Sequence, residues 1–171
     1  MRAAVLIAIV LLRVGGRSPV PALGAQAVVF AASPAADPLR HLTRKVFDLA
    51  NRQRRLHGVH PLEWSDALAQ QARQQSANMM ERGFFSHTDP VRGKLAARLT
   101  AAGIRWSRCG ENIFREKGMD DPADAAMEGW MKSPAHREGL LDPLFTQAGV
   151  GIAISPNTEY FITQTFIRPP K

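Results

Sequence analysis

The chain has 171 residues, 45% hydrophobic and 22% charged, which are ordinary values for one globular domain with a sizeable core. Its 22 Lys and Arg against 15 Asp and Glu give a net charge of +7, but no basic cluster interleaved with aromatics appears, so nucleic acid is excluded as a partner class. Cys109 is the only cysteine, which excludes an internal disulfide.

Met1-Arg2 is followed by the apolar run AAVLIAIVLL over residues 3–12. A bilayer span takes about 20 residues, so this run reads as the core of a signal peptide. Ala25-Gln26-Ala27 supplies an A-x-A cleavage site. The expected organisation is a signal peptide over 1–27, a linker over 28–36 and a folded domain over 37–171. Arg2, Arg13 and Arg17 precede the cleavage site, so the mature chain keeps 19 basic against 15 acidic residues, or +4. Such a chain is secreted, or held in the periplasm or cell envelope. It touches membrane only through its signal segment, and a monomer is expected.

Asp37-Pro38 starts a first helix, with Asp as N-cap and Pro at the first helical position. Leu39, Leu42, Val46, Leu49 and Leu56 follow at helical spacing, and Gly58 ends the run. Leu62 and Trp64 form a short apolar anchor. Ser65 caps a second helix with Leu68, Ala72, Ser76, Met79 and Met80 on one face, closed by Gly83. The small residues Ala69, Ala72, Ser76 and Ala77 predict close packing against a neighbouring element.

The loop around Phe85-Ser86-His87-Thr88-Asp89-Pro90 leads into a short third helix over 95–102, ended by Gly103. Residues 104–114 read as extended and carry Gly110-Glu111-Asn112. Cys109 in this segment reads either as a small, partly buried residue or as a nucleophilic thiol. Asp121-Pro122 repeats the helix start, and Ala123, Ala126, Met127, Trp130 and Met131 face inward on a fourth helix. That helix is expected to break at Ser133-Pro134 and to present His136 just beyond the break.

The C-terminal period is two. GVGIAI over 149–154 and YFITQTFI over 160–167 read as strands joined by the turn residues Ser155-Pro156-Asn157-Thr158. Tyr160, Ile162, Gln164 and Phe166 share one face; Phe161, Thr163, Thr165 and Ile167 share the other. Both faces are largely apolar, which predicts a sheet covered by helices on both sides.

With these residues laid out, the chain resembles the CAP superfamily, the fold of cysteine-rich secretory and plant pathogenesis-related proteins, and in particular its bacterial secreted branch. The resemblance runs over about 42–166. It rests on Leu62-x-Trp64, Phe85-Ser86-His87, Gly110-Glu111-Asn112-Ile113, Trp130-Met131-x-Ser133-Pro134-x-His136-Arg137, Gly149-Val150-Gly151 and Thr163-Gln164. It implies an α/β (α+β) fold, a three-layer α-β-α sandwich with a central antiparallel sheet, and a cleft lined by histidines and acids. His87 matches the first cleft histidine, Glu111 the first cleft acid, and His136 the histidine of the bacterial Ser-Pro-Gly-His-Arg pattern, with Ala135 in place of the glycine.

Three positions depart from the family pattern. Phe161 stands where eukaryotic members carry a last-strand histidine, Ser133 where a second cleft acid is expected, and Gly139 where the bacterial pattern has asparagine. Glu128 is the nearest candidate for the second acid. The resemblance implies a binding module whose cleft takes a lipid, glycan, metal or partner protein. The alternative is a metal-dependent hydrolase using His87, His136 and Glu111, with zinc as the possible cofactor, since two imidazoles and a carboxylate are a minimal catalytic zinc set. A structural polar cluster joining helix to loop is the third reading.

Overall fold

The computed structural model describes residues 39–171. The expected signal peptide, the linker and the Asp37-Pro38 helix start lie outside the described residues. The elements in chain order are α1 (Arg40–Leu56), β1 (Glu63–Trp64), α2 (Asp66–Arg82), α3 (Leu95–Ala101), β2 (Arg108–Lys117), α4 (Pro122–Lys132), α5 (Pro134–Leu141), β3 (Gln147–Ile154) and β4 (Glu159–Arg168). Among the described residues, no helix is long and apolar enough to cross a membrane.

The sheet order is β1-β3-β4-β2. The β3–β4 hairpin and the β4–β2 pair are antiparallel as expected, with Gln164 opposite both Asn112 and Val150. The two-residue edge strand β1 pairs parallel with β3, so the sheet is mixed. The extended segment expected over 104–114 falls in part on β2, which starts later, at Arg108, runs on to Lys117 and forms the other edge.

Strand alternation divides the core into two helical layers. Ile162 and Phe166 of β4, with Val150 and Ile152 of β3, pack against Val46 and Ala50 of α1 and Ala126, Met127 and Trp130 of α4. Trp130 is 1% exposed and donates its indole N–H to the carbonyl of Ile113 at 3.0 Å, so this aromatic ties α4 to β2. On the opposite face, Phe161 packs with Met79 of α2, and Ile167 with Leu68 of α2 and Leu99 of α3. The result is a three-layer α-β-α sandwich.

The helix starts follow capping chemistry. Ser65 accepts a hydrogen bond from the N–H of Leu68, and Asp121 accepts from Ala123 and Asp124 with Pro122 at the first helical position. Gly83 takes the left-handed conformation that ends α2, at φ 67°.

The fourth helix breaks at Ser133-Pro134 as expected, and a further short helix that the sequence reading did not include follows at once. Ser133 closes α4 and opens α5 in the same residue, and Pro134 occupies the first turn of α5, where its missing N–H costs nothing. The Ser-Pro step therefore ends α4 and starts a new helix in a new direction.

The layer of α2 lies unusually close to the sheet. A Cβ placed on Gly149 would sit 2.1 Å from the Ala69 nitrogen, and one on Gly151 would sit 1.9 Å from the Arg73 nitrogen. The small residues of α2 meet this bare stretch of β3. Ser76 Oγ donates to the carbonyl of Gly151 at 3.0 Å and lies 2.8 Å from Thr163 Oγ1. The Gly-x-Gly pattern of β3 is thus a contact between two backbones.

Candidate functional site

His87 sits on the loop between α2 and α3, with its side chain 54% exposed. Asp89 fixes that loop from inside. Its carboxylate accepts from the Asn78 amide at 2.6 Å and from the backbone N–H groups of Val91 and Arg92 at 2.8 and 2.9 Å. Burial pushes this carboxyl up, but the Arg92 and Val91 N–H groups, Asn78 and the Arg82 charge outweigh burial and hold it below 3.8.

A group depressed in this way adds stability that is present above its ordinary pKa and lost as pH falls through its folded value. We expect Asp89→Asn to cost about 2–3 kcal/mol at neutral pH. In parallel urea titrations of both proteins, the gap should shrink at acid pH below that range. A gap constant with pH would show that the charge is irrelevant to the loop.

Glu111 lies on β2 opposite Thr165, its side chain 2% exposed and turned toward the α2–α3 layer. One oxygen meets His87 Nδ1 at 3.1 Å; the other accepts from Arg98 Nη2 at 2.8 Å. Arg98, on α3, is itself fully buried, and the same Nη2 reaches the backbone carbonyl of His87 at 3.3 Å. A carboxylate only accepts hydrogen bonds, so the proton of neutral His87 resides on Nδ1 and the Nε2 lone pair faces outward. Arg98 is therefore a positioning residue that acts through Glu111.

This fixes an expected result for Glu111→Gln, whose amide can donate to Nδ1. The variant should move His87 from the Nδ1–H to the Nε2–H tautomer, read by ¹⁵N-edited NMR of the imidazole. A wild-type protein already in the Nε2–H form would refute the arrangement.

His136 lies just beyond the break of α4, in the first turn of α5. Its Nδ1 lies 2.8 Å from Ser133 Oγ, and its backbone carbonyl accepts from Asn112 Nδ2 at 3.0 Å. Asn112 projects from β2 to the α4–α5 side, while its neighbour Glu111 projects to the α2–α3 side. The two histidines thus arrive from opposite layers and meet at the edge strand, with ring centroids 6.4 Å apart and planes 40° apart. Burial first, and the charge of His87 second, lower the His136 pKa below 6.5, so this imidazole is neutral at physiological pH.

Glu128 is not part of this arrangement. It lies on the exposed face of α4, ion-paired with Lys132 four residues on, and lines a separate groove with Leu49 and His57 of the α1 side. At the position of the second acid, Ser133 contacts His136 as a neutral partner. Zinc fits the trio poorly. Both oxygens of Glu111 are engaged, one of them by a buried guanidinium whose charge opposes a cation. Among the described residues, no group of three or more His, Cys, Asp and Glu could hold a metal ion. The thiol reading of Cys109 also weakens, because burial and the Glu111 charge push its pKa up and keep it protonated.

Asp89 and Arg98 were invisible as site residues in sequence. The available signal was slight: an Asp-Pro within the histidine loop, and an arginine on the inward side of a short apolar helix.

A profile of the cysteine-rich secretory protein family, CAP, matches residues 47–166, and the chain belongs to that family. It is 35% identical over 121 residues to the uncharacterized protein YkwD of Bacillus subtilis (strain 168), covering 70% of this chain and 46% of that one. It is 37% identical over 125 residues to the uncharacterized membrane protein YlbC of the same organism, covering 73% of this chain and 34% of that one. The chain therefore spans less than half the length of these curated relatives. Among solved structures, it superimposes with a TM-score of 0.68 and 34% identity on an extracellular protein containing a SCP domain from Bacillus anthracis str. Ames, covering 75% of this chain and 40% of that one.

Proposed function

We propose that this chain is an exported binding domain whose His87–His136 cleft takes a hydroxyl-rich ligand of the cell envelope, such as a glycan. The observation that carries the reading is the paired imidazoles, of which His87 is held by Glu111 with its Nε2 lone pair outward. That geometry suits accepting hydrogen bonds from hydroxyl groups. Beside it lies an open hollow of about 420 Å³ lined by His87, Thr88, Lys94, Leu95 and Glu111, a mixture of polar and apolar groups suited to a sugar ring. Export is supported by the apolar run over 3–12, the Ala25-Gln26-Ala27 site and the extracellular SCP-domain relative. The hydrolase alternative finds less support, since Glu111 is spoken for and Cys109 is held as the thiol.

The test is a titration of soluble N-acetylated amino-sugar oligosaccharides followed through the imidazole ¹⁵N signals. Both histidines should shift, and His87→Ala and His136→Ala should each weaken binding about tenfold or more, equivalent to about 1.4 kcal/mol. Affinity should also fall as pH drops and His136 gains a proton, because the cation no longer accepts. Saturable binding that leaves both imidazoles unshifted, or binding only of a long-chain fatty acid, would overturn the reading.

A further inference from the structure

Charge is unevenly spread over the domain. Residues 37–171 carry 19 Lys and Arg against 15 Asp and Glu. Helix α1 alone holds six of those cations, Arg40, Arg44, Lys45, Arg52, Arg54 and Arg55, with Asp48 as its single acid. The remainder, 13 against 14, is nearly neutral, so the net positive charge of the domain resides on one helix.

Not all six cations face solvent. Arg54 is buried, and Lys45 is ion-paired with Asp121 and Asp124. Of the rest, Arg44, Arg52 and Arg55 form an outward row. His41, Arg44, Asp48, Arg52 and Arg55 are exposed and line one open groove of about 490 Å³ along the helix. The Arg44 guanidinium is steadied over the Trp64 ring, 4.2 Å from its centroid. Among the described residues, Arg52 and Arg55 have no carboxylate partner.

We propose that this face of α1 docks a linear polyol-phosphate polymer, a phosphodiester chain without bases. At 1.5 Å of rise per residue, Arg44 to Arg55 spans about 16 Å, a length over which a linear chain meets several of its phosphates in turn. The row's three cations, Arg44, Arg52 and Arg55, are all arginines, whose planar fork matches two phosphate oxygens at once. A membrane surface fits less well. An interfacial helix needs a free apolar face, whereas Leu42, Val46, Phe47 and Ala50 of α1 are buried in the core. Of the large apolar side chains on this helix, Leu56 alone is well exposed. The row shares no residue with the His87 hollow, so the two surfaces can be tested independently.

The experiment measures binding of a synthetic glycerol-phosphate oligomer to the full chain, at salt concentrations from roughly 50 to 200 mM. Affinity should fall linearly on a log–log plot against salt. Arg52→Gln/Arg55→Gln should lower the slope by about two, one unit per lost phosphate contact. Arg105→Gln/Lys117→Gln removes the same charge from exposed positions elsewhere, and should leave binding within about twofold of wild type. His87→Ala should bind the oligomer as wild type does. Equal losses in the two double variants would overturn the proposal, leaving only net charge. So would no binding at the lowest salt, or binding to anionic vesicles without binding to the oligomer.

Discussion

Gly151→Ala should prevent this domain from folding stably. The added Cβ would fall 1.9 Å from the Arg73 nitrogen and 2.3 Å from the Ala72 carbonyl carbon. Both are helix backbone atoms that no rotamer change can move. Overpacking against yielding side chains typically costs about 1–3 kcal/mol. Here relief requires the whole of α2 to lift from β3, breaking the Ser76 hydrogen bonds to Gly151 and Thr163 beneath it. We expect a loss of at least about 4 kcal/mol, a large part of the stability of a domain this size. Urea titration by circular dichroism measures it. Gly139→Ala is the control: its Cβ would meet only Asn112 Oδ1 at 3.4 Å, and alanine gains helix propensity, so its effect should stay within about 1 kcal/mol. A Gly151→Ala protein as stable as this control would mean that α2 and β3 are not in backbone contact.

The second large effect is expected at Arg54, a fully buried cation at the end of α1. Its guanidinium donates to the carbonyls of His60 at 2.8 Å, Leu140 at 2.8 Å, Asp142 at 3.0 Å and Phe145 at 3.1 Å. It thereby joins the end of α1 to the end of α5 and the approach to β3. Burial lowers its pKa and the Asp142 charge partly restores it. Arg54→Met fills similar space but leaves four inward carbonyls without that donor, and should cost about 4 kcal/mol or more. Arg54→Lys keeps the charge without the fork and should lose roughly half as much. Denaturant midpoints of the two variants decide the matter. If methionine proves as good as lysine, the carbonyls are satisfied by water and the tie is not structural.

These two residues mark where sequence reading succeeds and where it fails. Features that act over a few residues were legible: the Ser65 and Asp121 caps, the stop at Gly83, and the alternation in β4 that assigns Ile162 and Phe161 to opposite layers. The family motifs placed His87, Glu111 and His136, and the geometry brings them to one edge of the sheet. Arg54 was different, because a charged residue near a helix end reads as solvated unless its distant carbonyl partners are known. Arg98 was hidden for the same reason. The extended character of the segment around Glu111 is legible, but its pairing with β4 becomes visible only when strands far apart in sequence are aligned. The stop at Ser133-Pro134 is legible in sequence, but α5 directly after it is not, because eight residues form a helix only where they find a surface to pack on. Leu140, buried against the α1–α4 core, supplies that surface. The candidate Glu128 failed on helical phase, which turned it to solvent beside Lys132.

The bare strip of β3 also governs when the domain can form. Its contacts join α2 to strands that emerge far later, with sequence separations of 75 residues for Ser76–Gly151 and 94 for Gln71–Thr165. The two central strands, β3 and β4, are the last elements of the chain. Until they are synthesised, α1, α2 and α4 have no sheet to cover, and helices of this length are marginal in water by themselves. Folding is then dominated by long-range closure, which is slow, and cannot be completed on a partial chain. For a protein that crosses a membrane before folding, as the proposed export requires, this delay keeps the nascent chain threadable until β4 arrives.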